Sequence, residues 1–195
     1  MPEIRTILTR ALSQTGSASS DFDLNPDVVL PETRKLTPAA VLVGFRENGD
    51  LILTKRSARL QHHPGQIAFP GGKKDPTDAD LTAAALREAQ EEIGLPTGQV
   101  AVLGSLPCHE TVTGFTVTPI VALIQGDFVE TPEAGEVAEV FHVPFAHITN
   151  PANFRVEGRR WQGRRRMYYV APFGPYYIWG ATARILRSLA ERVQA

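Results

Sequence analysis

The stretch "FPGGKKDPTDADLTAAALREAQEEIGL", residues 69–95, decides the fold and poses a problem of charge. A Gly-Gly turn leads into a helical segment whose end carries Glu88, Glu91 and Glu92. At about 100° per residue these carboxylates share one side of the helix, where like charges destabilise it. The apolar residues centre on another side, which therefore packs on the rest of the protein. Two interpretations stay open at this point: a solvated acidic face, or a site for a hard divalent cation, which prefers oxygen ligands.

The ends of this helix are marked by short polar residues and by glycine. We predict that it runs from about Asp78 to Ile93. Thr77 or Asp78 suits the N-cap, because a short polar side chain accepts hydrogen bonds from the first unpaired N–H groups. Gly94 ends the helix, because glycine readily adopts the left-handed backbone conformation found there.

Strands are predicted on both sides of this helix. Two β-rich runs flank Asn48-Gly49, a pair that favours a tight hairpin turn. Later segments predict three strands, a second hairpin and an amphipathic C-terminal helix: "QVAVLGSL", "FTVTPIVALI", "EVAEVFHVP", "NFRVEGRRWQGRRRMYYV" and "PYYIWGATARILRSLAERV". The pattern predicts an α/β fold, a mixed β-sheet sandwiched between α-helices in an α/β/α arrangement. Residues 1–36 are predicted to form an N-terminal helix and linker arm, and residues 37–195 the main domain.

Composition favours an ordinary globular protein. The chain has 195 residues, of which 43% are hydrophobic and 21% charged, which suits one domain. A formal net charge of -1 singles out neither nucleic acid nor a membrane as partner. Cys108 is the single cysteine, which fits a reducing compartment. No apolar run approaches the roughly 20 residues needed to cross a bilayer. We therefore expect a cytoplasmic protein.

The end of the acidic helix resembles the second half of the Nudix box. That pattern has Arg-Glu, an apolar residue, any residue, Glu-Glu, any residue, glycine and an apolar residue. All seven defined positions agree between Arg87 and Leu95. The first half departs from the pattern, because Gly72 lies one position too far upstream and the first glutamate of the pattern falls on Ala79.

Two aspartates, Asp78 and Asp80, flank Ala79. One of them is expected to replace the missing glutamate as the partner of Arg87.

The resemblance implies a Nudix fold and hydrolysis of a nucleoside diphosphate linked to another moiety. It also implies that Mg²⁺ or Mn²⁺ is bound by three carboxylates and one backbone carbonyl: Glu88, Glu91, Glu92 and Gly72, or its neighbour Gly71. Glycine suits the last position because backbone without a Cβ can approach an ion closely.

Catalytic roles carry over onto four residues. Arg87 is expected to orient the glutamates, and Glu92 to hold charge at the reacting centre. The general base is left open between Glu91 and Glu136, which precedes an apolar strand as a loop carboxylate of the family does.

A second stretch, "LTKRSARLQHHPGQIAFPGG" at residues 53–72, resembles the motif that precedes the box in coenzyme A pyrophosphatases. Gln61 stands where that motif usually has arginine. The implied reaction is hydrolysis of coenzyme A to 3′,5′-ADP and 4′-phosphopantetheine. The substrate-binding residues that we predict are Arg56, Ser57, His63, Gly71 and Lys73, and Arg59 and Lys74 are further candidates.

Alternative functions use the same residues. In one alternative, the substrate is ADP-ribose, NADH or a nucleoside triphosphate. In the other, the chain is a catalytically weak Nudix module that senses a nucleotide. In each case the partner is a small molecule, with no nucleic acid or membrane, and the protein is a monomer or a homodimer.

Residues 155–166 hold six arginines. A solvated hairpin or a dimer contact is favoured there over a nucleic-acid patch in which Trp161 stacks on a base.

Overall fold

A computed structural model describes residues 2–30, 33–161 and 163–195. The α-helices of these residues are α1 (Pro2–Ser13), α2 (Leu81–Ile93), α3 (Phe145–Ile148) and α4 (Ala181–Gln194). Their strands are β1 (Ser19–Ser20), β2 (Thr37–Phe45), β3 (Leu51–Arg56), β4 (Ile67–Ala68), β5 (Gly71–Lys73), β6 (Val100–Ser105), β7 (His109–Glu110), β8 (Phe115–Ile124), β9 (Val137–Val143), β10 (Arg155–Trp161) and β11 (Arg164–Val170).

Strands β1 to β9 of the described chain form one mixed sheet, and β10 pairs with β11 in a separate antiparallel hairpin. Strand β2 lies parallel to β8 from Thr37↔Phe115 to Phe45↔Leu123. Strand β3 is antiparallel to β9, and β6 is antiparallel to β8. The predicted α/β architecture with a mixed sheet is confirmed.

Helices cover both faces of the sheet because side chains of the central strands alternate in direction. On strand β2, Val43 belongs to the cluster packed by α1 and α4, whereas its neighbour Leu42 belongs to the cluster packed by α2. Leu53 and Ile52 on β3 divide in the same way. Strands buried on both faces read as the nearly continuous apolar runs seen in this sequence.

The predicted hairpin at Asn48-Gly49 joins β2 to β3. Gly49 has a φ of 92°, a left-handed conformation that favours glycine. The two strands pair at Phe45 and Leu51. Beyond that pair they separate, because β2 pairs with β5 and β3 pairs with β4 and β9.

The N-terminal segment lies against the main core. Leu8 and Ala11 of α1 are fully buried in the cluster that also contains Leu186 and Leu189 of α4. Strand β1 pairs in parallel with β7. A division at residue 36 stays a prediction, while the packing joins this segment to the sheet and to α4.

The described helices are all too short or too polar to cross a bilayer.

Candidate active site

Helix α2 starts later than predicted. Its N-cap is Asp80, whose side chain accepts a hydrogen bond from the backbone N–H of Ala83 at 2.8 Å. The predicted cap at Thr77 or Asp78 is wrong, because the extra loop residue shifts the first turn to Leu81. The predicted end is confirmed: Gly94 has a φ of 72° and its N–H donates to the last turn.

The two glycines before α2 bring backbone against two glutamates. The N–H of Gly71 donates to Oε2 of Glu92 at 3.2 Å. A Cβ on Gly72 would lie 2.5 Å from Oε1 of Glu88, so this carboxylate would have to shift. Glycine is required at position 71, where φ is 152° and a Cβ would lie 2.4 Å from the carbonyl oxygen of Ala40.

Arg87 connects most of the acids around α2. Its Nε and Nη2 donate to the two carboxylate oxygens of Asp78, each at 3.0 Å. Its Nη1 lies 3.1 Å from Glu88 and 2.9 Å from Glu91. Its Nη2 also donates to the carbonyl of Lys73 at 3.2 Å. This guanidinium thus fixes the loop and the helix with one set of hydrogen bonds.

Asp78, and not Asp80, replaces the missing glutamate as partner of Arg87. The bidentate hydrogen bond with Arg87, aided by the N–H of Asp75, lowers the pKa of Asp78. The same hydrogen bond raises the pKa of Arg87 above its usual value. The sequence named both aspartates, and the structure separates them: one pairs with arginine and the other caps the helix.

Glu92 is the buried member of the acidic cluster, with 5% of its surface exposed. Burial raises the pKa of Glu92 to about 8, although the N–H of Gly71 opposes that shift. Burial also raises the pKa of Glu88, while Arg87 lowers it. Burial without a contact to Arg87 thus distinguishes Glu92 from Glu88 and Glu91, and the nearby carboxylates add to the rise of its pKa.

Glu136 is close enough to these two glutamates for its charge to act on both. Its charge contributes to the raised pKa values of both Glu88 and Glu92. The loop that carries it is tied to the helix, because the N–H of Glu133 donates to the carbonyl of Glu92 at 2.9 Å. Its own carbonyl accepts from the N–H of Ser57 at 2.7 Å. The structure thus brings Glu136 to the acidic helix from 44 residues further along the chain.

Glu91, unlike the buried Glu92, lies at the exposed surface of α2. Its side chain is 58% exposed and bound to Arg87. Within the described ranges, no three acidic, histidine or cysteine side chains converge in a geometry that could hold a metal ion. The predicted carboxylates lie on neighbouring turns of α2 without meeting at one point.

Residues of the stretch 53–72 and its continuation lie around the acidic end of α2. Arg56 ends β3, and its charge lowers the pKa of Glu92. Ser57 is buried, and its hydroxyl accepts from the N–H of Arg59 at 3.3 Å. Lys73 is exposed, whereas Nζ of Lys74 donates to the carbonyl of Asp78 at 2.6 Å. Lys74 is thus engaged in holding the loop.

His63 lies in a strained loop next to Arg56. It has a φ of 54°, a left-handed conformation that is uncommon for histidine and clusters at functional sites. Burial, followed by the charges of Arg56 and His62, lowers the pKa of His63, while Asp21 raises it. Asp21 comes from the N-terminal segment, which the sequence placed outside the main domain.

Sequence reasoning missed the hydrogen-bonded group formed by Asp21, Ser19 and His109. Nδ1 of His109 lies 2.9 Å from Oγ of Ser19, and its Nε2 lies 3.1 Å from Oδ1 of Asp21. His109 is fully buried and holds β1 against β7. No spacing or periodicity signals this contact, because His109 lies about 90 residues from Ser19 and Asp21 in the sequence.

The fold and the acidic helix define a class of enzyme that acts on phosphorus-containing anhydrides, and the comparisons with known proteins agree. The NUDIX domain family matches residues 35–164. A protein from Cronobacter sakazakii named "Uncharacterized Nudix hydrolase NudL" is 44% identical over 157 residues, covering 80% of this chain and 82% of that protein. One of the same name from Citrobacter koseri is 41% identical over 176 residues, covering 89% and 92%.

Among solved structures, the MutT protein from Methanosarcina mazei Go1 is similar in fold. Its TM-score is 0.54 at 20% identity, covering 84% of this chain and 96% of that chain. This chain belongs to the Nudix family. It is a Nudix hydrolase, an enzyme of the class that cleaves nucleoside diphosphate derivatives.

Proposed function

We propose that this Nudix hydrolase cleaves the pyrophosphate of coenzyme A, or of its derivatives, to 3′,5′-ADP and 4′-phosphopantetheine. One observation carries the proposal. The motif that resembles coenzyme A pyrophosphatases reaches the acidic helix, because the N–H of Gly71 donates to Oε2 of Glu92 at 3.2 Å and the charge of Arg56 lowers the pKa of Glu92. The two stretches that point to this substrate thus form one site.

The donor atoms of this site suit Mg²⁺ or Mn²⁺ in kind, and Glu91 must leave Arg87 before all three carboxylates can meet one ion. The donors are all oxygens, as these hard cations prefer, and Gly72 lets backbone lie against the Glu88 carboxylate. Glu88, Glu91, Glu92 and the carbonyl of Gly72 are the residues that we propose to hold the cation. When bound, it supplies positive charge to the pyrophosphate oxygens and lowers the pKa of water.

We assign the general base to Glu136 in preference to Glu91. Glu136 is close enough to Glu88 and Glu92 for its charge to act on both, and Arg87 does not contact it, whereas Glu91 is held by Arg87. In the reaction, the oxygen of a water bonds to one phosphorus while the P–O–P bond breaks. One proton of that water passes to Glu136, and the other phosphate leaves with the bridging oxygen. Arg87 acts as a positioning residue, since its contacts are to carboxylates and backbone.

Substrate contacts are assigned to the residues around this centre. Arg56 offers a guanidinium, which binds phosphate oxygens in a bidentate manner. Exposed Lys73 offers a second cation, and the backbone of Gly71 leaves room for the pyrophosphate. His63 and Ser57 shape the loop on the other side. The cytoplasmic location and the state as monomer or homodimer stay predictions.

The test is product analysis by mass spectrometry after hydrolysis of coenzyme A in ¹⁸O-labelled water with Mg²⁺ or Mn²⁺. We expect 3′,5′-ADP and 4′-phosphopantetheine, with the label in the product whose phosphorus was attacked. A kcat/KM for ADP-ribose, NADH or a nucleoside triphosphate above that for coenzyme A would assign another substrate. Absence of turnover on all of them, with tight binding, would indicate a sensing module.

A matched pair of variants tests the assignment of Arg56. Arg56→Gln should raise the KM for coenzyme A by about tenfold, the scale expected for a lost charge-assisted contact to phosphate. The neighbouring exposed cation Lys55 lies opposite Glu139 of β9, so Lys55→Gln should leave the KM within about twofold. Equal effects of the two variants would contradict a specific contact.

A further inference from the structure

The hairpin formed by β10 and β11 carries a concentration of positive charge that catalysis does not use. Six of the chain's 20 lysines and arginines lie within residues 155–166. The two strands form their own sheet, separate from the strands around the active site. The cations are all arginine, whose planar guanidinium matches phosphate geometry better than an ammonium does.

Like charges face each other across this hairpin. In the antiparallel register, Arg159 lies opposite Arg166 and Arg160 lies opposite Arg165. Directly opposed like charges destabilise a strand pair. A hairpin whose sequence served folding alone would place acids at some of these positions. The arrangement therefore indicates that the balancing negative charge comes from outside the hairpin.

The arginines at the hairpin tip lack the carboxylate partners that several other arginines of the chain have. Six arginines elsewhere or at the hairpin base form ion pairs with carboxylates: Arg34, Arg46, Arg87, Arg155, Arg184 and Arg187. The acid within the hairpin, Glu157, is bound by Arg155 and by the hydroxyl of Tyr177. Within the part of the chain that the structure describes, no carboxylate pairs with the exposed tip arginines: Arg159, Arg160, Arg164 and Arg165.

The base of the hairpin is held in place by the N-terminal segment. The Asn25 side chain donates to the carbonyl of Met167 at 3.0 Å and accepts from its N–H at 2.8 Å, as a paired strand would. The guanidinium of Arg166 lies over the ring of Phe22, 5.9 Å from its centroid. A Cβ on Gly158 would lie 2.6 Å from Nε of Arg165, so this glycine leaves room for that side chain across the strand. The cations are thus displayed on an anchored support.

Aromatic side chains lie next to the cations. Tyr168 follows Arg166 by two residues and shares its face of β11. Its hydroxyl lies 3.4 Å from that of Tyr177, a side chain of which 42% is exposed. Trp179 packs edge-on against Tyr168 with centroids 5.2 Å apart. An exposed aromatic ring beside guanidinium groups is the combination that binds bases and phosphates of a single strand.

We infer that the β10–β11 hairpin is a nucleic-acid-binding arm. Arg159 and Arg164 lie on the Tyr168 face of the hairpin, and Arg160 and Arg165 lie on the opposite face. A single strand that crosses the hairpin tip places phosphates against both pairs, and Tyr177 offers a face on which a base stacks. This inference goes beyond the proposed hydrolysis of coenzyme A and does not depend on it. It reverses the expectation of no nucleic-acid partner, which rested on a net charge of -1 spread over the whole chain. The side chain of Trp161, for which the sequence favoured a solvated hairpin or a dimer contact over base stacking, lies outside the described residues.

The test measures binding of a fluorescein-labelled single-stranded RNA 20-mer by fluorescence anisotropy between 50 and 300 mM KCl. We expect log K to fall linearly with log salt concentration. For single strands the slope changes by about 0.7 for each phosphate contact. The variant Arg159→Ala/Arg160→Ala/Arg164→Ala/Arg165→Ala should therefore reduce the slope by about 3 and weaken binding at 50 mM KCl by at least about tenfold.

Matched controls separate a local arm from general charge. Arg164→Ala/Arg165→Ala should weaken binding, whereas Arg5→Ala/Arg10→Ala, which removes two exposed arginines from α1, should not. Turnover of a small pyrophosphate substrate should stay unchanged in the fourfold variant, which also serves as the check of folding.

Three outcomes would overturn the inference. One is no RNA binding by the native chain at 50 mM KCl, and a second is equal weakening by the two paired variants. The third is conversion of a dimer to a monomer in the fourfold variant, by light scattering, without loss of RNA binding. That result would assign the hairpin to a contact with a second copy of the chain.

Discussion

Helix α2 and the β10–β11 hairpin both crowd like charges together, and they differ in what balances them. Around α2, Arg87 contacts Asp78, Glu88 and Glu91, so one guanidinium offsets part of their negative charge inside the molecule. Glu92 alone is buried without an arginine and has a pKa of about 8. At the hairpin tip, several arginines face each other with solvent around them.

The difference shows that charge crowding has two structural forms. Where the like charges are buried, their cost falls on one group and appears as a shifted pKa. Where they are exposed, solvent and salt screen them. A cation is expected to relieve the first form, and a polyanion the second. The predictions below test the acidic side of this comparison, in order of expected effect.

Glu92 should be the most sensitive position. Glu92→Gln removes the buried charge at the reacting centre, and we expect kcat to fall about a thousandfold, the upper range for loss of one electrostatic group. Steady-state kinetics with saturating Mg²⁺ measure this. Glu3→Gln, in exposed surface of α1, is the control and should keep normal turnover. Activity of Glu92→Gln within about tenfold of the native enzyme would contradict the assigned role.

The same residue predicts how stability depends on pH without metal. The folded protein keeps a proton on Glu92 up to about pH 8, whereas the unfolded chain releases it near the ordinary value of 4.5. The free energy of unfolding should therefore fall as pH rises from about 4.5 to about 8, by on the order of 3 to 5 kcal/mol. Urea unfolding in EDTA measures it.

Two comparisons isolate the contribution of Glu92 to that curve. In Glu92→Gln the decline over this pH range should largely disappear, because the titrating group is gone. Added Mg²⁺ should stabilise the native protein at pH 8 more than it stabilises the variant. Parallel curves for both proteins would place the titration on other groups.

A substitution at Gly72 tests whether turnover depends on the close approach of the Gly72 backbone to the Glu88 carboxylate. Gly72→Ala places a methyl group within 2.5 Å of the Glu88 carboxylate, so that side chain must move. We expect about a hundredfold lower kcat/KM, because a small displacement at a reacting centre can cost that much. Gly98→Ala, whose Cβ meets no atom within 4 Å, is the matched control. Equal activity of the two variants would show that Glu88 can relocate without consequence.

Asp78 should have the smallest effect of the four. Asp78→Asn removes the charged partner of Arg87 and frees the guanidinium to rearrange, so kcat should fall about tenfold. Asp80→Asn is a close control, because asparagine caps a helix as well as aspartate does. A reduction in kcat for Asp80→Asn and not for Asp78→Asn would reverse the roles assigned to the two residues.

The helix end, the tight turn and the two-sided sheet could be predicted because each depends on residues that are close together in the sequence. Gly94 ends α2 because few residues other than glycine tolerate its conformation, and Asn48-Gly49 forms a turn for the same reason. The nearly continuous apolar runs of β2 and β3 predict a sheet covered on both faces. The spacing of Glu88, Glu91 and Glu92 predicts a shared side of the helix, but not which of them is buried.

The rest depends on contacts between distant parts of the chain. Asp78 and Asp80 are equivalent in composition, and only the fold decides that the first reaches Arg87. Strand β1 has two residues and pairs with a strand about 90 positions away, so no periodicity could reveal it. The proximity of Asp21 to His63 follows from that pairing. The opposed arginines of the hairpin became evident only with the register of β10 and β11.

The side chain of Asn25 binds the N–H and the carbonyl of Met167 as a neighbouring strand would. This contact limits where the chain can be truncated without loss of the fold. A fragment limited to residues 35–164, the span matched by the family, would lose Asn25, helix α1 and the core residues of α4. It would also end inside the β10–β11 hairpin. The span that identifies the family is therefore shorter than the unit that folds, and truncation at either limit should yield an aggregation-prone product.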